Sequence, residues 1–245
     1  MKLLTLNFNL RLFILLTIGF IGFTVIGTLS HECGHAIAAR YFGIKARVAY
    51  AYTSFEQEGS DREFIRFTWK KYRRQILGKQ PYPGKERWDK INDGMHAKFE
   101  KSGPWILLGG PLQTMLTGTL GFIVLLVLRR RYFKSERLSF GLWLVIYFAL
   151  FWLRQTTNLL VGIGYYLTRP VYRGRSDEFG IARLLHLPHW SFLIVTGIIG
   201  LILLAIILFR FVPLKQRLTF MAAGLAGGIT GYLSWLVWFG KFILP

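Results

Sequence analysis

The sequence predicts an all-α polytopic membrane protein with about five transmembrane helices and a small β-hairpin in its first long loop. Three observations carry that expectation. Of the 245 residues, 53% are hydrophobic, above the roughly 45–50% of a soluble domain, and mean hydropathy is +0.38. Several apolar runs reach the ~20 residues that cross a hydrocarbon core. The basic residues, 31 Lys and Arg against 12 Asp and Glu, cluster in the segments that flank those runs. A net charge of +19 on a soluble chain would point to nucleic acid. Between apolar spans it points instead to a bilayer with anionic headgroups, and no nucleic-acid partner is expected. One domain is expected over 1–245, with spans at about 12–39, 105–128, 138–166, 191–211 and 218–242 and an interfacial loop at 41–103.

Residues 1–30 look like a signal peptide, with Lys2 and Arg11 ahead of an apolar stretch. Cleavage is not expected, because no clean small-x-small site is present and a cut near Ser30 would detach the segment that follows. The first span is roughly 40 Å long as a helix, longer than one hydrocarbon core, so its C-terminal end lies just inside one membrane face, side A. Gly19, Gly22 and Gly27 suit close helix contacts. The loop at 41–103 carries two stretches rich in aromatic and β-branched residues, 47–53 and 63–69, separated by the acidic, Gly-containing 56–61. They are expected to pair as the hairpin. Pro81-Tyr82-Pro83-Gly84 is a break, and 85–101 reads as an amphipathic helix on the headgroups.

The second span opens on Gly109-Gly110-Pro111-Leu112-Gln113. A proline in a span frees backbone groups that protein or a wet cavity must satisfy; a packing kink is the equal alternative. Arg154, Gln155, Thr156, Thr157 and Asn158 make the side-A half of the third span polar. In the second side-A loop Ser176 is an expected N-cap, with Asp177 and Glu178 in a first helical turn. The last two spans are almost uniformly apolar, and Gly224, Gly227, Gly228 and Gly231 suit tight packing. Counting five crossings brings His31, His35, the Gly-Gly-Pro stretch, Asn158 and Asp177 to side A, although the count uses none of their chemistry.

The chemistry-bearing stretch is His31-Glu32-Cys33-Gly34-His35, at the end of the first span. Residues four apart share a helix face, so both imidazoles can bind one zinc ion. Glu32, beside the first ligand, can take a proton from the water such a site activates. His-Glu-x-x-His on a helix is the zincin signature, and its chemistry is amide hydrolysis. Ionisable groups in a membrane helix are costly and usually face a functional interior, which makes solvated histidines at a helix end the lesser reading. Cys33, the single cysteine, lies off the histidine face and is expected to be a small packing residue. A catalytic zinc takes three protein ligands. Candidates for the third are Asp177, Glu178, His186, His189, His96 and the acidic residues of the first loop.

Residues 30–43, Ser-His-Glu-Cys-Gly-His-Ala-Ile-Ala-Ala-Arg-Tyr-Phe-Gly, resemble the first motif of the site-2 protease family of intramembrane zinc metalloproteases. Residues 109–113 resemble that family's Gly-Pro motif, and Arg175-Ser176-Asp177 with 181–185 is similar to the Asp-bearing third motif of short bacterial members. The resemblance implies His31, His35 and Asp177 as zinc ligands, Glu32 as acid and base, a membrane-protein substrate, and a multi-pass place in a bacterial cell membrane. Ser-Asp-Glu stands where Leu-Asp-Gly is common, and Gln113 where many members carry Asn. Gln113 and Asn158 are candidate substrate contacts. A membrane scaffold with a structural metal site is the alternative function. An ion transporter would need ionisable groups deep in several spans, and the last two lack them.

Overall fold

A computed structural model describes residues 3–55, 59–132, 138–168 and 176–245. In lipid every backbone N–H and C=O must be satisfied within the segment, so apolar runs of this length fold as helices. Five of the described helical stretches are long and apolar enough to span: Leu10–Tyr41, Lys85–Arg129, Phe140–Thr168, Ser191–Phe211 and Leu214–Ile243. Only 17% of the first apolar window is buried against protein. The remaining Leu, Ile and Phe surface is what acyl chains would cover.

Helix α1 (Leu10–Tyr41) is the centre of the bundle. The Asn9 carboxamide accepts the Leu12 N–H at 2.9 Å and caps its start. At its end Gly43 adopts φ +71°, and Ile44 N–H closes on the Ala39 carbonyl at 3.0 Å. α1 packs against α3 (Lys85–Tyr132) and α8 (Arg217–Tyr232), and α3 packs against α4 (Phe140–Ala149). Leu16, Phe20, Leu125, Ile146, Tyr147, Phe211 and Phe220 fill the core between them. The Tyr147 hydroxyl donates to the Leu16 carbonyl at 2.7 Å, over the space that Gly19 leaves. Gly22 and Gly27, by contrast, face nothing within 4 Å. A 3-10 turn, Leu150–Trp152, joins α4 to α5 (Leu153–Thr168). α5 packs on α7 (Ser191–Ile206), and the short α6 (Asp177–Leu184) docks between α3 and α7. α9 (Gly240–Ile243) closes the chain.

The first loop departs from expectation in two places. The hairpin is built from β1 (Ala46–Val48) and β2 (Thr53–Phe55), antiparallel, with Arg47 opposite Ser54. The stretch 47–53 therefore folds back on itself, with Ala49 N–H bonded to the Tyr52 carbonyl at 2.9 Å. Residues 63–69 lie in α2 (Gly59–Leu77) instead. Its less exposed residues, Phe64, Ile65, Thr68, Tyr72 and Ile76, recur at helical spacing, and that amphipathic period outweighs β propensity. Residues 56–58 of the separator lie outside the described residues, as do 133–137 and 169–175. The second departure is α3. Residues 85–101 and the second span form one 48-residue helix that runs through Pro104 and Pro111, so no break falls at Trp105.

The ends of the helices fix the topology. Asn9 N–H donates to Thr219 Oγ1 at 3.1 Å, tying the starts of α1 and α8 together on side B. Tyr50 N–H donates to the Leu244 carbonyl at 2.9 Å, and Trp235 Nε1 to the Tyr50 carbonyl at 2.8 Å, tying the hairpin turn to the chain's end on side A. In a Cys33→Ser background, single cysteines at Lys79 and His186 should react together with an impermeant thiol reagent in sealed vesicles. Leu6→Cys, at a position 93% exposed, should react only from the opposite side. Labelling of Lys79→Cys and Leu6→Cys from one side would contradict five crossings.

Candidate metal centre

His31 and His35 lie one turn apart on the face of α1 that meets α3, and both are buried, His31 to 1% exposure. Their Nε2 atoms are 3.2 Å apart. Asp177, the first residue of α6, places Oδ2 at 3.0 Å from His31 Nε2 and 3.3 Å from His35 Nε2. Residues 146 positions apart in the chain thus offer three ligand atoms to one point, all within 4.8 Å of one another. Of the third-ligand candidates among the described residues, Asp177 alone joins the two histidines. Glu178 turns into the protein, His186 and His96 are exposed, and His189 stacks on Phe179 at 4.4 Å between ring centres.

Close backbone packing puts these groups together. A Cβ on Gly34 would strike the Gly109 carbonyl oxygen, and one on Gly109 would lie 2.5 Å from the Gly34 oxygen. α1 and α3 therefore touch main chain to main chain at the level of the histidines. A Cβ on Gly110 would collide with His35 Nε2 and lie 2.6 Å from His31 Nε2, so the missing side chain there is the space in which a ligand ion fits. α6 is set by an equally close contact, since a Cβ on Gly180 would come within 2.5 Å of Leu107 on α3. Phe179, Ile181 and Ala182 anchor it in the protein. Ser176 occupies the N-cap position, but among the described residues its hydroxyl caps nothing and has no hydrogen-bond partner.

The outer nitrogens of both rings are already committed. His35 Nδ1 lies 2.6 Å from the Ile106 carbonyl, which can only accept, so His35 carries its proton on Nδ1. The Thr114 hydroxyl donates to the Gly110 carbonyl at 3.1 Å and so accepts from His31 Nδ1 at 3.0 Å. Both Nε2 lone pairs consequently face inward, beside a carboxylate oxygen. Three acceptors cannot remain 3.0–3.3 Å apart with nothing positive among them; a shared proton or a cation has to lie there. Donors bound at about 2.0–2.2 Å to a tetrahedral cation stand roughly 3.3–3.6 Å apart. The observed edges sit at or a few tenths of an ångström below that range, so the residues fit a small N/O-ligated divalent ion.

Glu32 is buried to 6% exposure. The Thr53 hydroxyl, at the start of β2, lies 2.8 Å from the Glu32 carbonyl and 3.1 Å from Oε2 and can donate to either. Gln113 donates from Nε2 to Thr117 Oγ1 at 3.0 Å and keeps a buried Oε1 without a partner. Asn158 donates from Nδ2 to Glu178 Oε1 at 2.9 Å, so it is engaged inside the protein and is not a free substrate contact in this state. Cys33 is exposed on the outer face of α1 and packs no interior. Thr114, the Ile106 carbonyl and Thr53 were not legible as site groups in the sequence. Thr114 lies one turn beyond Gly110, and that spacing was its only signal.

No protein-family model, curated protein or solved structure matches the chain.

Removing the support of a ligating imidazole typically weakens metal binding by about 10–100-fold. Thr114→Val should do so for zinc or cobalt while the fold is retained, measured by competition with a chromophoric chelator. Gly110→Ala should abolish measurable binding outright. Wild-type affinity in the alanine variant would mean that the ion does not lie between the two Nε2 atoms.

Proposed function

We propose that the chain is an intramembrane zinc metalloendopeptidase that hydrolyses peptide bonds of membrane-associated protein substrates. The observation that carries this reading is the convergence of His31, His35 and Asp177 on one point with the buried Glu32 next in sequence to a ligand. Among the described residues three donors converge, which is the ligand number of a catalytic zinc; structural sites are normally closed by four. The resemblance of residues 30–43, 109–113 and 175–185 to the site-2 protease motifs supports the same conclusion.

Bound zinc supplies Lewis acidity and lowers the pKa of a coordinated water to about 7. The protein's own groups do the rest. Glu32 accepts the proton of the attacking water and passes it to the departing amine nitrogen. Thr53 orients Glu32 through its hydroxyl. The Ile106 carbonyl and Thr114 keep each imidazole in the tautomer that presents Nε2. A substrate helix has to unwind, because helical amides are hydrogen-bonded and shielded. The β1–β2 hairpin, joined to Glu32 through Thr53, offers strand edge to an extended segment.

Glu32→Gln should retain one zinc per chain and lose about 10²–10⁴-fold in cleavage rate. Asp177→Ala should lose zinc and activity together, and chelation should silence the wild type reversibly. Metal content by emission spectroscopy and cleavage of a reconstituted membrane-protein substrate check all three. A Glu32→Gln protein that cleaves at the wild-type rate would exclude the mechanism.

A further inference from the structure

Asp177 is the one candidate ligand that does not come from α1. It opens α6, an eight-residue helix, and residues 169–175 before it lie outside the described residues. Among the described residues the aim of its carboxylate is set by the contacts of α6 itself. Most of these are apolar: Phe179, Ile181 and Ala182 are buried, and Gly180 sits against Leu107 of α3. They press the helix onto α3 and α7. Apolar contact is non-directional, so it fixes where a short helix lies better than how it is turned about its axis. Successive helical residues point ~100° apart. A roll of α6 would carry Asp177 Oδ2 away from the imidazole nitrogens it meets at 3.0 and 3.3 Å.

Glu178, next in sequence, supplies a direction. Its side chain is 1% exposed, and Oε1 accepts from Asn158 Nδ2 at 2.9 Å. Asn158 stands on α5, a third helix, so the bond approaches α6 from outside its apolar contacts with α3 and α7. Glu178 Oε2 is buried without a partner among the described residues, so the interior solvates this carboxylate poorly. An apolar side chain of similar size would dock a short helix at least as stably. A hydrogen bond adds what an apolar contact lacks, a preferred angle. We infer that Asn158 and Glu178 are positioning residues of the candidate metal centre: their bond sets the roll of α6 and so aims Asp177 at His31 and His35. The inference rests on the zinc site proposed above. Neither residue touches the ion. Asn158, a candidate substrate contact by sequence, serves the third ligand instead, and Glu178 acts through the ligand beside it.

The test separates aim from stability. In the double variant Asn158→Leu/Glu178→Met both partners become apolar, a replacement that is nearly neutral or stabilising. Purified in detergent without metal, it should melt no lower than wild type. Its affinity for zinc, read by competition with a chromophoric chelator, should still fall about 10–100-fold, the usual loss when the group that orients a metal ligand is removed. Glu178→Gln keeps an acceptor for Asn158 and should bind zinc within about threefold of wild type. Glu178→Ala should lose as much as the double variant. Wild-type zinc affinity in the double variant overturns the inference, because it reduces the pair to a packing contact. A loss in Glu178→Gln as deep as in Glu178→Ala also overturns it, because the carboxylate's charge, not its bond to Asn158, is then what matters. Should the double variant not fold, the comparison of Glu178→Gln with Glu178→Ala decides alone. Both overturning results leave the zinc site standing. Wild type that binds no zinc removes the site, and this inference with it.

Discussion

The candidate metal centre depends on one contact, the meeting of α1 and α3 main chains at Gly34 and Gly109. A methyl group on either residue would strike the other's carbonyl oxygen, so the helices approach as near as two backbones can. At that separation the Ile106 carbonyl and the Thr114 hydroxyl of α3 reach the outer nitrogens of the α1 histidines. At a more ordinary helix distance of about 8–10 Å, neither bond could form, and two buried imidazoles would be left with unsatisfied N–H groups. Close packing and ring orientation are therefore one constraint, and it is met by glycine on both helices.

The same contact explains how polar groups are tolerated inside an apolar bundle. A group buried without a partner costs about 1–3 kcal/mol, more when it is charged. Along α1 and α3 most such costs are cancelled locally: the outer nitrogen of each imidazole has a partner on α3, Glu32 has Thr53, and Trp152 Nε1 has Thr119. Exceptions remain on several helices: Gln113 Oε1 on α3, Arg154 Nε and Gln155 Nε2 on α5, and Glu178 Oε2 on α6 are buried without partners among the described residues, as are Thr17 Oγ1 on α1 and Ser191 Oγ on α7. Elsewhere the bundle core is apolar and aromatic, from Leu16 and Phe20 to Phe211 and Phe220.

How far the sequence disclosed this arrangement follows from the range of each interaction. The spans were legible because hydropathy over ~20 residues is a sum of many small contributions of one sign. The two histidines were legible because helical spacing alone aligns them. Asp177 was reached through topology and resemblance, and the geometry then separated it from Glu178 and His186. The hairpin was misplaced because 63–69 carries β-favouring residues whose less exposed side follows a helical period, Phe64, Ile65 and Thr68, and a short window cannot rank the two. Thr114 and the Ile106 carbonyl were invisible for a different reason: a hydroxyl and a backbone carbonyl acquire a role only once α1 lies against α3.

Asp177 belongs to a different part of the molecule from the histidines, and that division has a mechanical consequence. The α1–α3 pair is fixed by backbone contact, whereas α6 is an eight-residue helix held by Phe179, Ile181 and Ala182, by the Gly180–Leu107 contact and by the Asn158–Glu178 bond. An ion bound by all three side chains joins the short helix to the rigid pair, so its binding free energy adds to the stability of that docking. The three acceptors repel one another when nothing positive lies between them, which loosens the same docking. Were the centre to bind an ion, order at the side-A ends of α5 and α6 would be coupled to its occupancy, through one carboxylate oxygen 3.0 Å from an imidazole nitrogen.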